Sequence, residues 1–171
     1  MDKRFQLQFI NEVPGQLLRE AIATWGISKR ALTAIKFDGG ALYVNGEEKN
    51  VRHPLAVGDE VTIVFPLEQV SDGLIPQYGP LEIVYEDDAL LVINKPAFMS
   101  SIPSREHPNG SLANLVCGYF EAKQLASTVH IVTRLDRDTS GLMVIAKHRH
   151  IHHLMSEQQQ AGLVHREYEA V

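Results

Sequence analysis

One short segment concentrates the residues of this chain that could perform chemistry. Residues 134–141 read Arg-Leu-Asp-Arg-Asp-Thr-Ser-Gly and combine two arginines, two carboxylates and two hydroxyls in a turn-forming sequence. Arginines on both sides of Asp136 favour the ionised form of its carboxylate. The apolar run 142–146 predicts a buried strand that anchors the turn. A charged carboxylate held at the mouth of such a strand is suited to nucleophilic catalysis.

The same residue types also form ordinary structural turns. Asp and Ser side chains bond to nearby backbone, Gly accepts a positive φ, and composition alone favours this structural interpretation. A calcium loop is excluded, because its twelfth position needs a bidentate Glu and is Lys147. A phosphatase-type Asp-x-Asp-x-Thr motif is excluded as well, since the spacing differs by one residue and the apolar strand follows the motif.

Residues 134–147 resemble the signature of the RluA/RluD-type pseudouridine synthases, usually written His-Arg-Leu-Asp-x-x-Thr-Ser-Gly. Residues 85–97 resemble the first motif of that family, and 166–171 resemble its Lys/Arg-x-Tyr-x-Ala strand. The resemblance covers roughly residues 80 to 171. It implies an enzyme that isomerises uridines in RNA, with ribosomal RNA as the expected substrate, and that needs no cofactor.

The resemblance also implies roles for individual residues. Asp136 would be the essential aspartate, acting as nucleophile or as base at the ribose. Arg134 would displace the target base and fill the gap left by the flipped uridine. Tyr168 would stack on the uracil, while Thr139 and Ser140 would fix the loop around the substrate.

Three features depart from the family pattern. Thr133 stands where the family usually has a histidine, and Phe98 stands where a glycine commonly follows Lys-Pro-Ala. The sequence also stops at Val171 inside an apparent strand, so we expect a piece of a longer enzyme, truncated within its catalytic domain. The alternative function is therefore a non-catalytic RNA-binding protein, or an inactive fragment of such an enzyme.

The elements that must position these residues fall into two parts. In the first part, residues 5–10 alternate as a strand, Pro14 begins a helical pattern, and Ser28 is a suitable N-cap for a second helix. A hairpin and a last strand over 61–65 complete a unit of about 65 residues, near the lower size limit for independent folding.

This first unit resembles the small alpha-L RNA-binding module first seen in ribosomal protein S-four. The resemblance rests on Ser-Lys-Arg at the start of the second helix and on the Val-Asn-Gly turn after it. It implies that Lys29, Arg30 and Lys36 contact RNA phosphates. The alternative is a helix face on which these charges are merely solvated.

The second part predicts a mixed, mainly antiparallel sheet with flanking helices. A Pro- and Gly-containing stretch over 67–80 predicts a linker. Two strands, a helix over 111–123, the motif loop with its strand, and a helix over 148–160 follow. The fold class is therefore α+β, with an RNA-binding module over 1–66 and the first part of a catalytic domain over 81–171.

Composition limits the remaining possibilities. Apolar residues make up 44% of the chain, as in ordinary folded proteins, and the net charge is −5, so any contact with RNA must use a local basic surface. The single cysteine, Cys117, excludes an internal disulfide framework. No signal-like or membrane-spanning apolar run occurs, so we expect a cytoplasmic protein without a membrane partner. We also expect a monomer.

A histidine cluster invites a metal hypothesis. His148 and His152 are spaced four apart, as in zinc-binding helices, with His150 and His153 beside them. No Glu lies between the pair and no distant third ligand is marked. We therefore favour a solvated helix face over a metal-dependent hydrolase and expect no metal.

Overall fold

The computed structural model describes residues 2–70 and 72–171. The chain divides into two compact units, Met1–Glu68 and Gln69–Val171. Each unit has its own four-stranded antiparallel sheet and its own apolar core, which confirms the mixed α+β organisation. No helix in the described part of the chain has both the length and the apolar character needed to cross a bilayer.

The first unit packs two helices on a sheet in the strand order β1-β4-β2-β3. Its core is formed by Leu18, Ile22 and Ile35 from the helices and by Val61 and Ile63 from the central strand, all almost fully buried. The element bounds are β1 (Gln6–Ile10), α1 (Leu18–Thr24), α2 (Lys29–Phe37), β2 (Ala41–Val44), β3 (Glu47–Glu48) and β4 (Glu60–Val64).

The first helix begins later than the proline suggested. Pro14 lies in a turn, and the chain then pairs with a neighbouring segment, because the Gly15 amide donates to Leu55 and the Leu18 amide to His53. Cross-chain hydrogen bonds thus satisfy the backbone before α1 starts. The predicted N-cap of α2 is confirmed: the Ser28 hydroxyl accepts a hydrogen bond from the Ala31 amide at 3.1 Å.

The second unit contains the motif loop. Its sheet has the order β5-β6-β8-β7, and the apolar face formed by β6 and β8 packs against α3 through residues such as Ile93, Met143 and Phe120. The element bounds are β5 (Ile83–Glu86), β6 (Leu90–Lys95), α3 (Leu112–Ala122), β7 (His130–Ile131), β8 (Gly141–Ala146) and α4 (Arg149–Gln160).

Part of the segment predicted as a linker is bound to α3. Asn114 accepts a hydrogen bond from the Gln77 amide through its carbonyl and donates its side-chain amide to the Ile75 carbonyl. A Cβ on Gly118 would lie 2.0 Å from the Gln77 carbonyl oxygen, so only a glycine allows the segment to pack this closely on the helix. Residues 75–77 therefore belong to the folded second unit.

The two central strands bring the chemical motifs to one end of the sheet. β6 and β8 are antiparallel, and Lys95 at the end of β6 lies opposite Gly141 at the start of β8. The residues that follow β6 therefore meet the loop that precedes β8. The predicted strand over 166–171 is not formed, because no strand in the described part of the chain pairs with it.

Candidate active site

The motif loop borders a cavity of about 670 Å³ that opens to solvent. Asp136 lies in its wall with three arginines, Arg134, Arg137 and Arg166. The other lining residues come from the segment after β6 and from the chain around β7: Ser100, Ser101, Ile102, Ile131, Val132 and Leu135. One acidic and three basic residues thus line a mostly polar space.

A buried lysine fixes the loop from beneath. The Lys95 side chain is completely buried, and its ammonium donates to the carbonyls of Pro96 at 3.0 Å, Met99 at 2.7 Å and Arg137 at 3.2 Å. Burial lowers the pKa of Lys95, and the charge of Asp138 opposes that shift. The ammonium therefore joins the turn after β6 to the motif loop.

A buried serine holds the loop from a second side. The Ser101 hydroxyl donates to the Leu135 carbonyl at 2.5 Å and accepts from the Leu135 amide at 3.3 Å. The start of α3 in turn fixes this segment, since the Leu112 and Ala113 amides donate to the carbonyls of Ser100 and Ser101. Leu135 lies directly before Asp136, so these contacts link the start of α3 to the backbone that carries the carboxylate.

Two further contacts complete the frame of the loop. The Thr133 hydroxyl accepts a hydrogen bond from the Val144 amide at 3.0 Å, which ties the entrance of the loop to β8. The Thr139 amide donates to the Asp136 carbonyl at 3.1 Å and closes a turn. Gly141 then begins β8 with a φ of 137°, a conformation that side-chain-bearing residues rarely adopt.

The charged side chains of the cavity remain available for a ligand. Asp136 and Arg134 are exposed, as are Arg137 and Arg166. Across the described ranges 2–70 and 72–171, no hydrogen bond or ion pair engages these four side chains. The backbone of the loop is thus held rigidly, whereas its functional groups face solvent.

The structure gathers some of the predicted site residues and separates others. Asp136 and Arg134 share the main cavity, but Thr139 and Ser140 do not line it. Ser140 lines a smaller cavity of about 400 Å³ beside Lys95. Tyr168 is 62% exposed and lies outside both linings, although the main cavity includes the nearby Arg166.

The predicted RNA contacts lie on α2 of the first unit. Lys29, Arg30 and Lys36 are all exposed, whereas Ile35 of the same helix is almost fully buried in the core. The Lys36 ammonium sits 4.9 Å from the centre of the exposed Phe37 ring. The helix therefore presents its cations to solvent and its apolar side to the sheet.

The expectation of a solvated helix face was wrong for two of the histidines, whereas His153 is exposed as expected. His148 and His150 are buried, and the His148 ring caps α4 by accepting a hydrogen bond from the His150 amide at 3.0 Å. His152 lies 3.2 Å from the Ile131 carbonyl, and His153 pairs with a glutamate on its own helix. Within residues 2–70 and 72–171, no group of three or more His, Cys, Asp or Glu side chains could hold a metal ion.

Sequence reasoning placed Lys95 at the strand end beside the loop but did not show that Lys95 and Ser101 hold the loop through hydrogen bonds. Lys95 carries a signal, because strand alternation places it on the same inward face as Leu91 and Ile93. Ser101 carries none, since its partner Leu135 is 34 residues away. Arg166 lies in a recognised motif, but nothing in that motif shows that the residue lines the cavity.

Comparison with known proteins identifies the class of this site. The model of the family described as RNA pseudouridylate synthase matches residues 89–171. This range contains Lys95 and Ser101, the motif loop and the residues that line the cavity. The chain belongs to the RNA pseudouridine synthase family. Its relatives place it in the RluA/RluD type, as the motif over 134–147 suggested.

Three relatives illustrate the similarity. An uncharacterized RNA pseudouridine synthase of Bacillus subtilis, YjbO, is 52% identical over 154 residues, which is 90% of this chain and 54% of YjbO. Ribosomal large subunit pseudouridine synthase D of Escherichia coli O157:H7 is 35% identical over 90% of this chain and 44% of its own length. The corresponding protein of Yersinia pestis is 38% identical over 75% of this chain and 39% of its own length. The chain thus spans about half of these relatives or less.

Proposed function

We propose that this chain carries the catalytic loop of an RNA pseudouridine synthase that isomerises specific uridines to pseudouridine. The observation that carries this proposal is that Asp136 and Arg134 line the same solvent-open cavity, inside the region that matches the family. Relatives named for the large ribosomal subunit support ribosomal RNA as the substrate. A ribosomal RNA substrate in turn supports a cytoplasmic location.

The reaction is an isomerisation and balances without a co-reactant. The bond between uracil N1 and ribose C1′ breaks, the base rotates, and a bond forms between C5 and C1′. The proton lost from C5 is matched by the proton gained at N1, so no electron donor, nucleotide or metal enters the balance. Asp136 acts at the ribose, either as a nucleophile on C1′ or as a base that removes a ribose proton.

The other predicted site residues flip the target base and hold it. A stacked uridine cannot reach the carboxylate, so the nucleotide rotates out of its helix at a cost of a few kcal/mol. The exposed Arg134 side chain occupies the space that the base leaves. Tyr168, whose exposed ring follows a cavity residue by two positions, stacks on the uracil, and Thr139 and Ser140 fix the loop from its other side.

We further propose that the first unit is an RNA-binding module of the S-four type, with Lys29, Arg30 and Lys36 on phosphates. Lys29 and Arg30 occupy the first turn of α2, where positive charge opposes the helix dipole and lowers helix stability. Two cations beside the amides of a helix start form a favourable surface for a phosphate. This placement supports binding over simple solvation of the helix face.

A mapping experiment tests the proposed function. Unmodified large-subunit RNA made by transcription is incubated with the purified chain, and pseudouridines are located by carbodiimide modification and primer extension. We expect modification at a small number of uridines, no cleavage of the RNA, and the same result with and without a metal chelator. RNA that binds the chain but acquires no pseudouridine would support the non-catalytic alternative and overturn the proposal.

A further inference from the structure

The main cavity holds more positive charge than the proposed chemistry uses. Three arginines and one carboxylate line it, so the lining carries an excess of two positive charges. Asp138 does not line the cavity, and its charge acts on the buried ammonium of Lys95. Arg134 has a role in filling the space of the flipped base. Arg137 and Arg166 have none.

Arg137 and Arg166 are suited to bind anions. Both are exposed, and neither guanidinium has a hydrogen bond or ion pair to any residue in the described ranges. The backbone of Arg137 is fixed, since its carbonyl accepts from the buried Lys95 ammonium at 3.2 Å. A planar guanidinium on a fixed backbone matches the oxygens of a phosphate and loses little freedom on binding.

The geometry of a flipped nucleotide supplies anions at the right place. Flipping turns the base about its own backbone, so the phosphodiesters on both sides of that nucleotide remain at the mouth of the pocket. Phosphate contacts of this kind set position and register and carry no base information. We propose that Arg137 and Arg166 bind the two backbone phosphates that flank the target uridine.

This inference rests on the proposed function for the identity of the anion, an RNA phosphodiester, but it can be tested without turnover. Each guanidinium that neutralises a phosphate of a single strand contributes about 0.7 to the slope of log affinity against log salt. The test therefore measures binding of a short fluorescein-labelled oligouridylate by anisotropy, from about 50 to about 200 mM salt.

Arg137→Gln and Arg166→Gln are each expected to lower the salt slope by about 0.7 and to weaken binding about fivefold near 0.1 M salt. The double variant should lose about twice that slope. Arg137→Lys and Arg166→Lys keep the charge and should retain the wild-type slope, although the bidentate geometry is lost. Arg105→Gln is the matched control, because Arg105 is also exposed and does not line the cavity.

The outcomes separate this inference from the proposed function. An unchanged slope in both glutamine variants, a loss equal to that of the Arg105→Gln control, or a slope that lysine does not restore would overturn it. A reduced slope in a chain that forms no pseudouridine would leave the phosphate contacts standing and remove the catalytic proposal. Pseudouridine formation with unchanged slopes would support the catalytic proposal and remove the phosphate contacts.

Discussion

Replacing the buried lysine beneath the loop tests how the site is held in place. Lys95→Met keeps an unbranched side chain, one atom shorter than lysine, and removes three hydrogen bonds to main-chain carbonyls. Hydrogen bonds from a charged donor contribute about 1.5–3 kcal/mol each, so the gross loss is at least about 4.5 kcal/mol. Relief of the buried charge, whose burial lowers the pKa of Lys95, offsets part of this.

We expect a net loss of about 3 kcal/mol in the free energy of unfolding of the second unit, a large part of typical domain stability. Lys123→Met is the control, because Lys123 is about half exposed and its 3.4 Å ion pair with Glu86 is worth about 1 kcal/mol or less. Hydrogen exchange of β6 and β8 amides reports the second unit. Fluorescence of the only tryptophan, Trp25, reports the first unit and should not change.

The prediction also has a functional side. Release of the Arg137 carbonyl frees the loop that carries Asp136, so turnover should fall even at temperatures where Lys95→Met remains folded. A stability loss equal to that of Lys123→Met, or full activity in a folded Lys95→Met protein, would refute the idea that this ammonium positions the site.

Three further changes test other parts of the account. Burial, with smaller contributions from the charges of His148 and His153, lowers the pKa of His150 from 6.5 to about 4. As the pH falls, His150 therefore takes up its proton in the unfolded chain before it does so in the folded chain. The free energy of unfolding should fall by roughly 3 kcal/mol between about pH 6.5 and about pH 4. Urea titrations of His150→Leu should lack this pH-dependent loss. Phe98→Gly should raise the free energy of unfolding in urea by up to about 1 kcal/mol, because Phe98 is exposed and has a φ of 65°. The control Ala97→Gly, at a residue without a positive φ, should not raise it. Combined Lys29→Gln and Arg30→Gln should raise the stability of the first unit by a few tenths of a kcal/mol while weakening RNA binding, and a weaker first unit would contradict the dipole argument.

Local patterns in the sequence predicted most of the elements. Three of these patterns depend only on residues close together in the sequence: the N-cap serine of α2, the alternation of β1 and the apolar run of β8. The structure has all three elements. The start of α1 was predicted too early, because hydrogen bonds from Gly15 and Leu18 to residues 53–55 take precedence over the local preference of a proline. Such pairing cannot be read from a short window.

The site shows the same division between local and distant information. Asp136 and Arg134 stand out by their own sequence and share the cavity. The contact between Ser101 and Leu135 joins segments far apart in the chain, and Arg166 approaches the cavity only through the path of the C-terminal residues. The strand expected at 166–171 needs a neighbour to pair with, and that requirement is invisible in its own composition.

A comparison of two aspartates in one loop tests the central claim most directly. Asp136→Asn and Asp138→Asn remove the same charge two residues apart, but only Asp136 lines the cavity. Pseudouridine formation releases the C5 hydrogen, so RNA labelled with tritium at uridine C5 reports turnover, and filter binding reports RNA affinity. We predict that Asp136→Asn lowers tritium release by roughly 10³-fold or more with RNA affinity intact, while Asp138→Asn retains most activity. Wild-type release by Asp136→Asn, or an equal loss in both variants, would contradict the assignment of the reaction to Asp136.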